Sequence, residues 1–141
     1  MEVKYRLESL NETEFKLNYD FDFSQLSLES VQLQVGHDIK ISEESQQVVI
    51  KATATLFSGH DCTTLASNTV QLTFGVSPME GIIDHADSGK ITVKSSILMD
   101  TFLIATIGTL RGVFLKNLKG TPLERCFIPL IPLDNLRQVK K

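Results

Sequence analysis

The sequence predicts an α+β fold, in which a four- to five-stranded antiparallel meander is packed by one long C-terminal helix. Up to about residue 77, apolar and polar residues alternate, as they do in half-buried strands. From Ser96 to Leu118, apolar residues follow helical spacing instead. Because the strands precede the helix and do not alternate with helices, an antiparallel sheet is favoured over a parallel α/β fold. The 141 residues are expected to form a single domain.

Two alternating stretches open the chain. Val3, Tyr5 and Leu7 alternate with charged residues, and Asn11-Glu12 reads as a turn. Alternation then resumes in the clearest strand pattern of the sequence: Phe15, Leu17, Tyr19, Phe21 and Phe23. The three aromatic residues that end this row favour sheet core under the helix. Alternatively, Tyr19, Phe21 and Phe23 form part of the floor of an apolar groove.

Three further strands are predicted from the same alternation. They cover Val31–Ile41, Val48–Phe57 and Val70–Val76. Short polar links between consecutive strands predict that they lie side by side, as a meander. Ile91–Val93 is either a short additional strand or the approach to the helix.

The helix is apolar on nearly all sides. One stripe contains Leu103, Ile107, Leu110 and Phe114, and a second, roughly opposite, contains Leu98, Phe102, Ala105 and Val113. Such a helix must be covered on more than one side, whereas a single sheet covers only one. A second cover is therefore expected.

Small residues flatten one flank of the predicted helix: Ala105, Gly108, Thr109 and Gly112. Each glycine costs a helix roughly 1 kcal/mol relative to alanine, so the pattern calls for a reason. The small side chains allow either close packing on the chain's own sheet or close approach of a helix from another subunit. Both interpretations stay open at this point.

An apolar segment with prolines follows the helix. Residues 121–136 are expected to be extended, because Pro129 and Pro132 exclude a helix or a central strand. The stretch Phe127–Leu133 either forms the wall of a groove or covers an edge of the core.

Composition restricts the partners and the location. The net charge is −3 and no basic block is present, which argues against a nucleic-acid partner. The N-terminal residues carry no secretory signal pattern, and the uncharged run Thr101–Leu110 is too short to span a bilayer. Cys62 and Cys126 are expected to be free thiols in a cytoplasmic protein.

No catalytic or cofactor site is predicted. His60 and Asp61 stand next to Cys62, and His85 lies close to Asp84 and Asp87, but neighbours in sequence do not by themselves form a catalytic triad. No spacing of metal ligands involves the histidines or cysteines, and no phosphate-binding glycine loop follows a strand. We therefore expect no enzyme activity, no metal and no cofactor.

The C-terminal part resembles the SecB family. Gly120-Thr121-Pro122 follows the helix, and a proline-containing apolar stretch ends in Leu133-Asp134-Asn135-Leu136. Gly108-Thr109-Leu110-Arg111-Gly112 is similar to SecB-like proteins of uncertain role. Over the strands, the resemblance is one of element order. The tail departs from the family pattern: it is basic after Leu136, whereas SecB chains have a second helix and an acidic tail that helps to pass clients to the SecA motor.

The resemblance implies a chaperone that binds non-native polypeptides in apolar grooves beside the helix. It implies a dimer or a dimer of dimers, a tetramer, with helices packed at the interface through Ala105, Gly108, Thr109 and Gly112. Residues implied in client binding are Phe102, Phe114, Phe127, Ile128, Leu130 and Ile131. Client binding would serve either protein export, with a translocase motor as partner, or a dedicated partner such as a toxin–antitoxin system.

The alternative hypothesis is a non-catalytic oligomeric scaffold protein of the same fold that binds no unfolded client. A small-molecule carrier is a more distant third.

Overall fold

The computed structural model describes residues 3–79, 83–85, 91–93 and 96–132. The main sheet consists of β1 (Lys4–Leu17), β2 (Val31–Ser42), β3 (Gln47–Ser58) and β4 (Thr64–Ser77). A separate small sheet pairs β5 (Ile83–His85) with β6 (Ile91–Val93). The helix α1 extends over Ser96–Leu118, the range predicted from the sequence. The α+β class with a four-stranded antiparallel sheet against one C-terminal helix is thus confirmed, and the short strand at Ile91–Val93 lies outside the main sheet.

The strand order corrects the predicted meander. The order is β1-β4-β3-β2, and all neighbours are antiparallel. The short turns after β2 and β3 keep β2, β3 and β4 side by side, as predicted. The connection between β1 and β2 is longer and contains two 3₁₀ turns, Phe23–Gln25 and Leu28–Ser30. That length lets β1 pair with β4 on the far side of the hairpin.

The first strand also differs from the prediction. β1 is one strand, and register shifts at Leu7/Ser9 and Glu12/Glu14 replace the predicted turn at Asn11-Glu12. Each shift is a β-bulge that lets one extra residue into the strand. The strand then ends at Leu17, so the row of Tyr19, Phe21 and Phe23 is not part of a strand as predicted. Local hydrogen bonds turn the chain there: Asn18 Oδ1 accepts from the Asp20 N–H at 3.1 Å, and Asp22 Oδ1 from the Ser24 N–H at 3.1 Å.

The core lies between α1 and the two central strands. Alternate residues of β3 from Val48 to Leu56 are buried, and they face the helix together with Val70, Leu72 and Phe74 of β4. From the helix side, Leu103, Leu110 and Phe114 are fully buried. Phe102 stacks on Phe74 with ring centroids 4.1 Å apart. Apolar burial of this extent is the main stabilising term of such a fold.

A polar contact fixes the end of the helix to the sheet. Asn68 of β4 is fully buried, and its Nδ2 donates to Glu12 Oε2 at 2.8 Å and to the Glu14 carbonyl at 2.7 Å. Asn117 of α1 donates to Glu12 and, at 3.0 Å, to Asn68 Oδ1. The carboxylate and the two amides therefore satisfy one another.

The chain after the helix turns back. Gly120 adopts a φ of +82°, which suits the end of a helix. The post-helix segment (residues 119–132) first forms turns and then continues without regular structure, burying Leu123 and Ile128. The remainder of the predicted extended segment, residues 133–136, lies outside the described residues. Cys62 and Cys126 are both free thiols, as expected.

Candidate functional site

One face of α1 is apolar and uncovered in this chain. We define the outer helix face as the residues on the side of α1 that points away from the sheet: Ile97, Thr101, Ile104, Ala105, Gly108, Gly112 and Leu115. Ile97 is 79% exposed, Ile104 56% and Leu115 44%. The second cover that the all-round apolar helix requires is therefore not supplied by the described part of this chain.

The two glycines of this face do not serve packing on the chain's own sheet. A Cβ added at Gly108 or at Gly112 would meet no atom within 4 Å. Of the two interpretations of the small residues, close helix–sheet packing is thereby excluded for these two positions. They leave a shallow, open strip along the helix surface.

The polar groups of this face are internally satisfied. The Thr101 hydroxyl donates to the Ile97 carbonyl at 2.9 Å, and the neighbouring Thr109 hydroxyl to the Ala105 carbonyl at 2.8 Å. Each threonine hydroxyl therefore donates to a carbonyl of its own helix. Two cations border this face: Lys116 is exposed one turn after Gly112, and the half-buried Arg111 lies beside Ile104 and Leu115.

A second exposed apolar row lies on β1. Tyr5, Leu7 and Leu10 are each about half exposed, and we call them the β1 ledge. They pair with Val76, Phe74 and Leu72 of β4, which face the helix, so the ledge points to the same side of the sheet. The Tyr5 and Phe102 rings pack in a T-shaped arrangement with centroids 5.8 Å apart. The ledge is therefore next to one flank of α1.

The post-helix segment lies along another part of the helix. Arg111 holds it there by donating to the Ile128 and Pro129 carbonyls, both at 3.0 Å. Phe127 is 57% exposed and Leu130 88%, and they flank this attachment in sequence. Ile104 and Leu115 lie on the same side of the helix as Arg111, because they are seven and four residues away from it. Exposed apolar groups thus cluster here as well.

The residues implied in client binding divide into two groups. Phe102, Phe114 and Ile128 lie in the core with almost no exposed surface, whereas Phe127 and Leu130 are exposed and Ile131 is half-buried. Tyr19 is 83% exposed, and Phe21 and Phe23 pack edge to face in the β1–β2 connection, 5.2 Å apart. The residues implied in the oligomer interface remain together: Ala105 and Gly112 are exposed, and Gly108 and Thr109 are half-buried.

The sequence did not identify Ile104, Leu115 or the residues of the β1 ledge as site residues, although Tyr5 and Leu7 were predicted to lie in a strand. Their signal is weak because nearly every side of the helix is apolar, so periodicity does not indicate which side the sheet covers. Leu10 lies beyond the first bulge, which breaks the alternation that would have marked it as a ledge residue.

A cleft of about 340 Å³ lies at one end of the sheet, and its lining includes the charged residues Lys4, Arg6 and Glu8 beside the apolar Tyr5 and Val76. Glu8 accepts from Gln47 Nε2 at 2.7 Å and from Arg6 Nη2 at 2.9 Å. These hydrogen bonds, first from Gln47 and then from Arg6, lower the pKa of Glu8 against a smaller opposing effect of burial. The acid is thus held as a carboxylate by structural partners.

Asp61, which stands between His60 and Cys62 in the sequence, accepts a local hydrogen bond from the backbone. Asp61 Oδ1 accepts the Thr63 backbone N–H at 3.1 Å, and hydrogen bonds from Thr63 lower the pKa of Asp61. Within the described ranges, no group of three or more His, Cys, Asp and Glu residues is placed to hold a metal ion. Asp87 lies outside those ranges.

By length and composition, Ile97–Leu118 would be long and apolar enough to cross a membrane. Core helices of soluble proteins pass the same test, and 50% of its apolar window is buried in the fold.

No protein-family model matches the sequence, and no curated protein matches it.

Proposed function

We propose that this protein is a SecB-like chaperone that binds non-native polypeptides through apolar contacts beside a helix shared between like subunits. The observation that carries the proposal is the outer helix face, which is largely apolar and is not covered by the described part of the chain. Contiguous apolar surface of this kind marks sites of interaction with other polypeptides. The proposal assumes a cytoplasmic protein without catalysis or cofactor.

Two parts of the surface have separate roles in this proposal. A second copy of α1 approaches the flat strip of Ala105, Gly108, Thr109 and Gly112, where small residues allow close backbone contact. Clients bind in the grooves that remain on either side, along the β1 ledge and along Phe127 and Leu130. Binding rests on burial of apolar area, at about 25 cal/mol per Å², and so shows little sequence preference.

Subunit association is tested by light scattering on the wild type and on Gly108→Leu. A Cβ at this position meets nothing within 4 Å in the single chain, so we expect the fold to tolerate leucine, whereas the larger side chain would block a neighbouring helix. We expect a wild-type oligomer and a smaller species for Gly108→Leu. Glu44→Leu adds an apolar side chain at an exposed position in the β2–β3 turn, on a different element, and should leave the mass unchanged. A monomeric wild type at micromolar concentration would contradict the shared helix.

Client binding is tested by suppression of aggregation of a chemically denatured model substrate. The wild type should suppress aggregation at near-stoichiometric ratio, and Leu130→Asp should do so less well, because it places a charge in a proposed groove. Lys119→Asp, which introduces the same acid at an exposed position without removing apolar surface, should behave as the wild type. Handover to a translocase motor or a toxin–antitoxin partner would be examined only after suppression is seen.

The alternative is an oligomeric scaffold protein without unfolded clients. The observation that favours it is the flat strip, which suits a permanent helix–helix contact. An oligomeric wild type that fails to suppress aggregation, with Leu130→Asp indistinguishable from it, would select the scaffold.

A further inference from the structure

The cleft at the end of the main sheet is distinct from the outer helix face and from the post-helix segment. It lies where the start of β1, the β2–β3 turn and the end of β4 meet, and residues 4–6, 8, 45–46 and 75–77 line it. Its volume of about 340 Å³ is at the small end of the range of ligand pockets, roughly 300–1,000 Å³. A cleft of this size suits a small molecule better than a polypeptide segment.

A glycine makes room for the charged groups of this cleft. Gly75 pairs with Arg6 in the β1–β4 register, so β4 has no side chain at the position opposite the arginine. A Cβ added at Gly75 would lie 2.7 Å from Glu8 Oε2, closer than real Cβ atoms approach another atom. An alanine at this position would therefore displace the Glu8 carboxylate from the place it now occupies.

Glu8 holds Arg6 by one edge of its guanidinium group. The Nε and Nη2 atoms of Arg6 both donate to Glu8 Oε2, at 3.2 and 2.9 Å. Gln47 Nε2 donates to the other oxygen of this acid at 2.7 Å, so both carboxylate oxygens already accept hydrogen bonds. A guanidinium group has five N–H donors in a planar fork. Within the described residues, the Nη1 group and the second N–H of Nη2 thus form a second edge that can take another acceptor.

Lys4 adds a second positive charge to the same cleft. Lys4 and Arg6 are two residues apart in a part of β1 without a register shift, so both side chains leave the same face of the strand. Neither ion pair in the described part of the chain includes Lys4. The lining thus carries two cations and one carboxylate, and that carboxylate is already bonded by Gln47 and Arg6. The remaining positive charge and N–H donors favour an anionic ligand.

We propose that this cleft binds a small carboxylic acid, in its carboxylate form, that has a short apolar body. The planar carboxylate matches the second edge of the Arg6 guanidinium group, and the Lys4 ammonium group adds its charge. The apolar body would lie against Tyr5 and Val76, which also line the cleft. Of these four residues only Tyr5 belongs to the β1 ledge as well, so the proposal does not rest on client binding.

The test uses hexanoate as the probe and follows the backbone amide signals of Gly75 and Ser77 by NMR. Hexanoate should shift these signals saturably in the wild type. Hexanamide, which has the same size but no charge, should bind about tenfold more weakly or worse, and so should acetate, which lacks the apolar body. The proposal would be overturned by the lack of a saturable shift with hexanoate, by equal affinity for either control, or by tighter binding of inorganic phosphate.

Three variants test whether the named side chains hold the probe. Arg6→Lys keeps the charge but removes the planar fork, and Lys4→Gln removes a charge; each should raise the Kd of hexanoate by about threefold to tenfold. Lys51→Gln removes a charge from an exposed position of β3 that does not line the cleft, and it should leave the Kd unchanged. If Lys51→Gln weakens binding as much as the other two, net charge is responsible and the cleft is not the site.

The same variants separate this site from the proposed chaperone function. Lys4, Arg6 and Lys51 are exposed and belong neither to the outer helix face nor to the β1 ledge or the post-helix segment, so the variants should fold and suppress aggregation as the wild type does. A wild type that suppresses no aggregation but binds hexanoate would leave the cleft assignment intact. A wild type that suppresses aggregation but shows no hexanoate shift would overturn the cleft assignment alone.

Discussion

Arg111 and Ile128 are joined by a hydrogen bond of 3.0 Å from the guanidinium Nε to the main-chain carbonyl. A second bond of 3.0 Å runs from Arg111 Nη2 to the carbonyl of Pro129. One side chain of the helix thus holds two consecutive carbonyls of a segment that has no regular structure. The buried Ile128 side chain lies at the same place, so a polar and an apolar contact together fix the post-helix segment.

Replacing Arg111 should therefore loosen this segment. Arg111→Ala is expected to lower the free energy of unfolding by about 1 to 2 kcal/mol, because charge-assisted bonds are lost at a partly buried site. Arg111→Lys should recover only part of it, since an ammonium group cannot match the planar fork. Urea denaturation measures the loss, and tryptic cleavage after Arg125 should become faster. Lys116→Ala removes a positive charge from the same helix and should change neither; if it changes both equally, charge alone is responsible.

Asn68 should be the most sensitive polar residue of the sheet. Asn68→Ala removes the amide that donates to Glu12 and to the Glu14 carbonyl and that accepts from Asn117, and we expect a loss of about 2 to 3 kcal/mol in the free energy of unfolding. The matched change Asn11→Ala removes an exposed asparagine from β1 and should stay within about 0.5 kcal/mol. Similar losses for both variants in urea denaturation would show that the buried Asn68 amide contributes no more to the free energy of unfolding than an exposed asparagine does.

Phe102 is expected to behave as a core residue. Its ring stacks on Phe74 and is 1% exposed, so Phe102→Ala should cost about 3 to 5 kcal/mol of unfolding free energy. Phe127→Ala, which changes an exposed ring on the post-helix segment, should cost far less but weaken client binding. Chemical denaturation and the aggregation assay separate the two effects. A stable Phe102→Ala with impaired client binding would mean that this ring is reached by clients.

Glu8 should make the stability depend on pH in the acid range. Its pKa is lowered in the folded protein, so its contribution is present above the unfolded value of about 4.3 and is lost as pH falls through the folded pKa. The stability difference between the wild type and Glu8→Gln should therefore shrink between pH 6 and strongly acid solution. Glu44→Gln, in the exposed β2–β3 turn, should follow the wild-type profile. If the stability difference between the wild type and Glu8→Gln does not change with pH, the charge of the Glu8 carboxylate is not its cause.

The sequence predicts local structure well where one period persists. The alternation of β3 from Val48 to Leu56 and the helical spacing from Ser96 to Leu118 both match the structure. Alternation failed in β1, because the bulges at Leu7/Ser9 and Glu12/Glu14 shift its phase twice and mimic a turn. The alternation also extends beyond the end of β1. Tyr19, Phe21 and Phe23 keep the two-residue period of a strand, but hydrogen bonds to the side chains of Asn18 and Asp22 turn the backbone there.

The candidate site was harder to predict for a related reason. That α1 needs a second cover follows from its composition, but which residues it leaves open depends on how the helix is rotated on the sheet. Ile104 and Leu103 are equally apolar neighbours, yet only Ile104 is exposed. Strand order also decides the ledge: Leu7 lies beside Phe74 only because β1 crosses to β4. Such relationships come from tertiary packing, which no local pattern encodes.

The bulges of β1 carry a further consequence. Glu8 and Thr13 act as spacers that keep Leu7, Leu10 and Phe15 in phase on one side of the sheet. Deleting either residue would remove one bulge and shift the following part of the strand by one position. Its charged side chains would then point to the side of the sheet where its apolar side chains now lie. Two residues that do not belong to the apolar core thus set the phase of the whole edge strand.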